Sequence, residues 1–221
     1  MFRIGVLVSG NGSNLQAIID AVGRGELLVE IGLVVCNRPK ALAVDRAARH
    51  GLPLAVLPAK RFASREAQEL AICEALDQAD LGLVVMAGYD RIVGQALLTR
   101  FAGRLINIHP GLLPAFAGTL HAQREAFDYG VKVAGCTVHF VTEEVDGGPI
   151  LVQRAVAVAE DDTAESLSAR ILELEHVALP KAIGLVAAGR VRIEGRRARI
   201  LEGEGASAGT ALDGRQPAEA G

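Results

Sequence analysis

The feature that most constrains this chain is alternation: short aliphatic, β-branched runs return repeatedly with helix-patterned stretches between them. The runs are Ile4 to Val8, Ile31 to Val35, Leu54 to Leu57, Leu83 to Met86 and Leu105 to Ile108. They read as strands buried on both faces. Between them, Leu15, Ile18, Ile19 and Val22 fall at i, i+3, i+4 and i+7, Ala41 to His50 is helix-like and closes on Gly51, and Ser64 is placed to cap a helix reaching Leu76. Strand and helix in alternation build an α/β fold with a doubly wound, mostly parallel sheet.

The pattern changes after residue 130. Val133 to Val141 and Ile150 to Val158 are long strand-like runs joined by the turn-rich Glu143-Glu144-Val145-Asp146-Gly147-Gly148-Pro149, which predicts antiparallel extension of the same sheet in the C-terminal half. A long helix is expected from Asp162 as N-cap, with Glu165 three residues on and Leu167, Ile171, Leu174 and Ala178 along one face; Pro180 kinks or ends it. Residues 202–221 hold almost no apolar anchor and are expected to be a disordered tail. With 221 residues, half of them hydrophobic, the expectation is one domain over 1–201, with a nucleotide-binding half at about 1–104 and a catalytic half at about 105–201.

The formal charge of −3, with no Lys/Arg block, gives no footprint for a nucleic-acid backbone. Cys36, Cys73 and Cys136 show no CxxC spacing, so neither a disulfide framework nor a zinc site is indicated. The apolar run after Met1 is too short for a signal segment, and no stretch approaches the roughly 18 apolar residues that span a bilayer. A cytoplasmic protein without nucleic-acid or membrane partners is expected.

Three segments carry chemistry. Gly10-Asn11-Gly12-Ser13-Asn14 follows the first strand and opens the first helix, where backbone N–H groups and the helix dipole favour a phosphate. It is not a dinucleotide fingerprint, since Leu15 holds the third glycine position and Cys36-Asn37 stand where an acid would follow the second strand. Asn107 and His109 lie at the carboxyl end of a strand and point to one side. Asp146 precedes a double glycine on a connecting loop. A carboxamide donor, a group that titrates near neutrality and an acid to hold its charge are what acyl transfer needs around a developing oxyanion. The plainer reading of each is a connecting turn, a hydrogen-bonded structural histidine and a turn aspartate. His121 and His139 could join His109 and Asp146 around zinc or iron, but no compact ligand spacing supports this, and His139 reads as a structural residue in a strand. Tyr89 and Phe116 could line a ring-binding pocket but are more simply core, and His50 and His176 read as helix-surface residues.

At these residues the sequence closely resembles the folate-dependent phosphoribosylglycinamide formyltransferases of purine biosynthesis, over roughly residues 2–200. The resemblance is carried by Ser9 to Gln16, Ser64 to Ala67, Ala87-Gly88-Tyr89 with Arg91-Ile92, Asn107 to Pro110 with Leu112 to Pro114, Gly135 to Val141, Asp146 to Ile150 and Glu175-His176. It implies that Gly12, Ser13 and Asn14 hold the substrate phosphate, that Glu175 touches the substrate's polar end, and that Asn107, His109 and Asp146 are catalytic. It further implies that Arg65, Asp90, Arg91, Ile92, Val93, Asn107, Val141, Thr142 and Glu143 contact 10-formyltetrahydrofolate. No metal is implied, and the implied oligomer is a monomer or weak homodimer. Against that pattern Gly111 replaces a serine, Ala117 a proline and Asp90 a methionine, Thr119 is a one-residue insertion, and Leu172 stands where some relatives place a polar phosphate contact.

On this reading Asp146 raises the His109 pKa, so that a useful fraction of the ring is cationic at neutral pH. The rival activities share the same core. A hydrolase of 10-formyltetrahydrofolate would carry an additional amino-terminal domain and methionyl-tRNA formyltransferase an additional carboxyl-terminal one, whereas the first strand here begins at residue 3 and the tail leans acidic. A non-catalytic metabolite sensor would use the glycine loop without needing Asn107, His109 and Asp146.

Overall fold

The computed structural model describes residues 1–202, so all but the first residue of the expected tail lies outside the described residues. Strand β1 (Phe2–Val8) leads through α1 (Ser13–Gly23) to β2 (Val29–Cys36), α2 (Leu42–Arg49) and β3 (Leu54–Val56). The chain then passes through α3 (Arg65–Gln78), β4 (Leu83–Met86), α4 (Gln95–Arg100) and β5 (Leu105–His109). These five strands stand in the order β3-β2-β1-β4-β5, all parallel. The order reverses between β1 and β4, so the ligand crevice of such a sheet opens at the carboxyl ends of those two strands. There the Ser9 N–H donates to the Gly88 carbonyl at 3.0 Å, tying the two strand ends together.

Burial explains the uninterrupted apolar runs. Ile4, Val6 and Val8 face a core closed by Leu15 and Ile18 of α1 and, from the C-terminal helix, Leu167, Ile171 and Ala178. Leu7, Leu33 and Val35 face the opposite core with Ile72 and Leu76 of α3 and Leu97 of α4. Both faces of the sheet are thus covered by helices, which removes the polar face that an alternating strand would show.

After α5 (Ala122–Tyr129) the sheet continues as β6 (Val133–Phe140), antiparallel to β5, and β7 (Ile150–Ala157), antiparallel to β6. Helix α6 (Ala164–Ala187) follows, and a hairpin of β8 (Val191–Glu194) and β9 (Arg197–Ile200) brings the sheet to nine strands among the described residues, β9 joining β7 through Ile150 and Arg197. Among the described residues no helix is long and apolar enough to cross a membrane.

Three local expectations change. The N-cap of α6 is Thr163, whose hydroxyl accepts from the Ser166 N–H at 3.2 Å while Ser166 Oγ accepts from the Thr163 N–H at 2.9 Å. Asp162 instead accepts from the Ala159 N–H and from Arg170. Pro180 neither ends the helix nor limits its burial: Ala178, Leu179, Ala182 and Ile183 around it are all fully buried, and this packing outweighs a cost of about 3 kcal/mol for an interior proline. The β8–β9 hairpin was not among the expected strands: Val191 to Glu194 and Arg197 to Ile200 do alternate apolar with polar, but each run is only four residues long and mostly exposed, too short a signal to read.

Two glycines test this packing. A Cβ on Gly135 of β6 would stand 1.9 Å from the Arg154 carbonyl oxygen of β7, so Gly135→Ala is expected to destabilise by about 1–3 kcal/mol. A Cβ on Gly184 of α6 meets only Leu27 Cδ1, at 3.6 Å, and Gly184→Ala is expected to stabilise by roughly 0.5–1 kcal/mol. Urea unfolding of both variants measures the contrast; equal midpoints would overturn the packing account.

Candidate active site

The antiparallel pairing of β5 with β6 sets Asn107 opposite His139 and His109 opposite Thr137. Paired residues project from the same face of a sheet, so Asn107 Nδ2 comes 3.2 Å from His139 Nε2. The β6–β7 connection then carries Asp146 in at φ 53°, a left-handed conformation that aspartate tolerates better than most residues. Its carboxylate lies 3.4 Å from His109 Nδ1 and 3.5 Å from His139 Nε2, and it accepts the Gly118 N–H at 2.8 Å. Asn107, His109 and Asp146, remote in sequence, therefore meet at one rim of the sheet. His139 stands among them rather than serving only the strand.

Burial governs the charges here. The His109 ring is only 3% exposed, and both its nitrogens face acceptors, the Phe116 carbonyl at 2.9 Å and Asp146. A neutral ring has one N–H and can serve one acceptor, whereas the imidazolium serves both. Desolvation nevertheless exceeds the pull of Asp146 and of the Phe116 carbonyl, and the His109 pKa lies below its usual 6.5. This corrects the expectation of a raised value: a carboxylate raises an imidazole pKa only when its attraction exceeds the desolvation it accompanies. For Asp146, burial alone would raise the carboxyl, but hydrogen bonds from His139 and the Gly118 N–H and the nearby imidazoles hold it below the usual carboxylate range.

Thr137 fixes the segment that follows His109. Its hydroxyl donates to the Gly111 carbonyl at 2.7 Å and accepts from the Leu113 N–H at 3.1 Å and Gln153 Nε2 at 3.0 Å. Gly111 has a steric reason here, since a Cβ would stand 3.0 Å from His109 Nε2. Any larger residue would need the ring to shift.

At the glycine loop, Gly12 precedes α1 at φ 75°, and a Cβ there would meet Ala43 at 2.8 Å. No side chain caps this helix, so the N–H groups of its first turn, beginning at Ser13, are free to take an anion. Asn14 is buried and donates from Nδ2 to Glu175 Oε2 of α6 at 2.7 Å, while its own Oδ1 has no partner. Burial pushes the Glu175 carboxyl up to about 7, with the Asn14 hydrogen bond opposing it.

Arg65, Arg91, Ile92 and Val93 line one cavity of about 270 Å³ together with Tyr89 and Phe62. Arg65 also donates to the Ile92 carbonyl. The Asp90 side chain is engaged elsewhere, with Asn37 and Arg38. Val141 is half-buried against the core, whereas Thr142 and Glu143 are exposed on the loop that carries Asp146. His121 is exposed before α5 and takes no part in the Asp146 cluster, and among the described residues no group of three His, Cys, Asp or Glu side chains is arranged to hold a metal. His50 is exposed as expected, but His176 is half-buried with Nε2 unpartnered, so it is not a plain surface residue.

The formyl transferase family matches residues 2–183. The chain belongs to that family. It is 42% identical over 198 residues to the trifunctional purine biosynthetic protein adenosine-3 of Bos taurus, covering 90% of this chain but 19% of that protein. Among such trifunctional relatives the chain spans 14–19% of their length. It is 40% identical over 202 residues to the phosphoribosylglycinamide formyltransferase of Escherichia coli, covering 91% of this chain and 94% of that one. The crystal structure of glycinamide ribonucleotide transformylase 1 from Symbiobacterium toebii superposes with a TM-score of 0.89 at 50% identity, over 91% and 95% of the two chains.

In this member of the family, His139 and Thr137 were residues to which sequence reasoning assigned no catalytic role, and the signal that finds them is strand register. Pairing the run 133–141 against 105–109 would have set both beside Asn107 and His109. The depressed pKa of His109 and that of Asp146 both give stability that is full above the groups' unfolded values and is lost as pH falls through their folded ones. Titration of the His109 ring by NMR is expected to show a midpoint below 6.5 in the parent and a lower one in Asp146→Asn, where the largest pull against desolvation is gone. A midpoint above 6.5, or no movement in the variant, would overturn the assignment.

Proposed function

We propose that this chain transfers a formyl group from 10-formyltetrahydrofolate to the amine of 5′-phosphoribosylglycinamide, a step of purine biosynthesis. The observation that carries the reading is the meeting of Asn107, His109 and Asp146 through His139, with separations of 3.2–3.5 Å. It is supported by the names and coverage of the single-function relatives. On this reading residues 1–201 act as one catalytic unit in the cytoplasm, without a metal, as a monomer or weak homodimer. Its three described cysteines, all free and buried, suit a reducing compartment.

The phosphate of the amine substrate sits on the segment Gly12 to Asn14 at the start of α1, and Glu175 meets the substrate's polar end. The folate occupies the cavity of Arg65 and Arg91 to Val93 and reaches the Val141 to Glu143 loop. For Asp90 the contact falls to the backbone, since the carboxylate faces Asn37 and Arg38.

As the amine lone pair joins the formyl carbon, negative charge gathers on the formyl oxygen. The Asn107 amide lies 3.2 Å from His139 Nε2 and carries two N–H bonds, one of which can meet that oxygen. His109, neutral in the resting site, accepts the proton that the amine must lose, and Asp146 holds the imidazolium that results. The same proton then goes to the departing folate nitrogen as the carbon–nitrogen bond breaks. Access requires the Phe116 carbonyl to withdraw from His109 Nε2.

Asn107→Ala is expected to lower turnover by about 10² to 10³, and His109→Ala by at least as much, with folding intact. Absorbance of the released folate measures both. For the parent, turnover with 10-formyltetrahydrofolate only when the amine is present supports the transferase reading. Turnover without the amine selects the hydrolase, and silence in both mixtures selects a sensor.

A further inference from the structure

We propose that Asp90 is a positioning residue for this reaction: its side chain straps the folate-side segment 88–93 to the ends of β1 and β2, holding that wall of the cavity in register with the glycine loop. The inference rests on the functional reading above. Three polar groups of Asp90 point away from the cavity and across the switch point of the sheet. Asp90 Oδ1 accepts from Asn37 Nδ2 at 2.9 Å, Oδ2 pairs with the Arg38 guanidinium, and the backbone N–H donates to Ser9 Oγ at 2.9 Å. Ser9 and Asn37 are 2% and 7% exposed and follow directly on the last residues of β1 and β2, so they are fixed points rather than mobile surface groups.

The other end of the segment is held by α3. Glu69 accepts the Gly94 N–H at 2.7 Å and the Leu97 N–H at 3.0 Å, and Arg65 reaches the Ile92 carbonyl. Arg91, Ile92 and Val93, which line the cavity, therefore span two anchors, and Asp90 supplies the one on the β1 side. That anchor is shared with the glycine loop. Ser9 runs into Gly10, and Asn37-Arg38 run towards α2, whose Ala43 N–H donates to the Gly10 carbonyl at 3.2 Å and whose Arg46 donates to the Asn11 carbonyl and side chain at 2.9 Å. Burial works against the Asp90 charge, but hydrogen bonds from Asn37 and Ser9 and the Arg38 guanidinium hold its carboxyl below the usual range, so the strap is charged at neutral pH. Among the described residues Asn37 Oδ1 has no partner, so the Nδ2 bond to Asp90 is the hydrogen bond that holds this side chain.

The test is direct titration of the full chain with tetrahydrofolate, alongside steady-state turnover, for the parent, Asp90→Ala, Asp90→Asn, Arg38→Gln and the double variant Arg38→Gln/Asp90→Asn. Asp90→Ala is expected to weaken tetrahydrofolate binding about tenfold, with turnover at saturating folate within about threefold of the parent. Asp90→Asn keeps an acceptor for Asn37 and loses only the ion pair, so it is expected to recover most of that loss, to match Arg38→Gln at about threefold, and to add nothing further in the double variant. Unchanged tetrahydrofolate affinity in Asp90→Ala overturns the proposal, as does a loss in Asp90→Asn that Arg38→Gln does not share, which would mean that the carboxylate touches folate itself. If Asp90→Ala does not fold, the Asp90→Asn and Arg38→Gln pair decides by the same criteria. A parent that binds no tetrahydrofolate refutes the functional reading rather than the strap.

Discussion

The Asp146 carboxylate is the interaction on which the site depends. It faces one imidazole from β5, another from β6 and a backbone N–H from the loop after β5. Each of those partners is delivered by a different piece of the fold, so a small slip in any one leaves a charge in a buried place without compensation. A buried carboxylate lacking partners is costly, which makes the cluster an all-or-none arrangement rather than a sum of separate contacts.

That arrangement also sets a tension the chemistry can use. Burial keeps His109 neutral at rest, while the geometry around it, two acceptors for two nitrogens, suits the charged ring. A site of this kind accepts a proton readily only when the reaction delivers it, and the carboxylate then stabilises the charge that appears. Glu175 shows the opposite balance: with one amide partner and near-complete burial, its carboxyl is pushed up to about 7. The two acids differ because one has several donors and the other essentially one.

The sheet divides the labour. The parallel half provides strand ends where the glycine loop and the segment 88–93 meet, joined by Ser9, Asn37 and Asp90. The candidate catalytic residues sit where the two halves join, because the antiparallel pairing of β5 with β6 sets His139 and Thr137 directly opposite Asn107 and His109. Helix α6 bridges the halves, packing on the core beside β1 while bringing Glu175 to Asn14.

Much of this was legible in the residues. The unbroken aliphatic runs imposed strands covered on both sides, the glycine turn marked the start of α1, and Asn107, His109 and Asp146 stood out by chemical type. Side-chain chemistry and hydrophobic period are local properties, and the sequence by itself determined them. The position of His139, the turning of Asp90 towards Asn37 and Arg38, the passage of α6 through Pro180 and the lowered pKa of His109 were decided only by the tertiary structure. Each depends on which distant segment lies alongside and how completely it excludes water, and neither register nor desolvation is a property of any one stretch of chain.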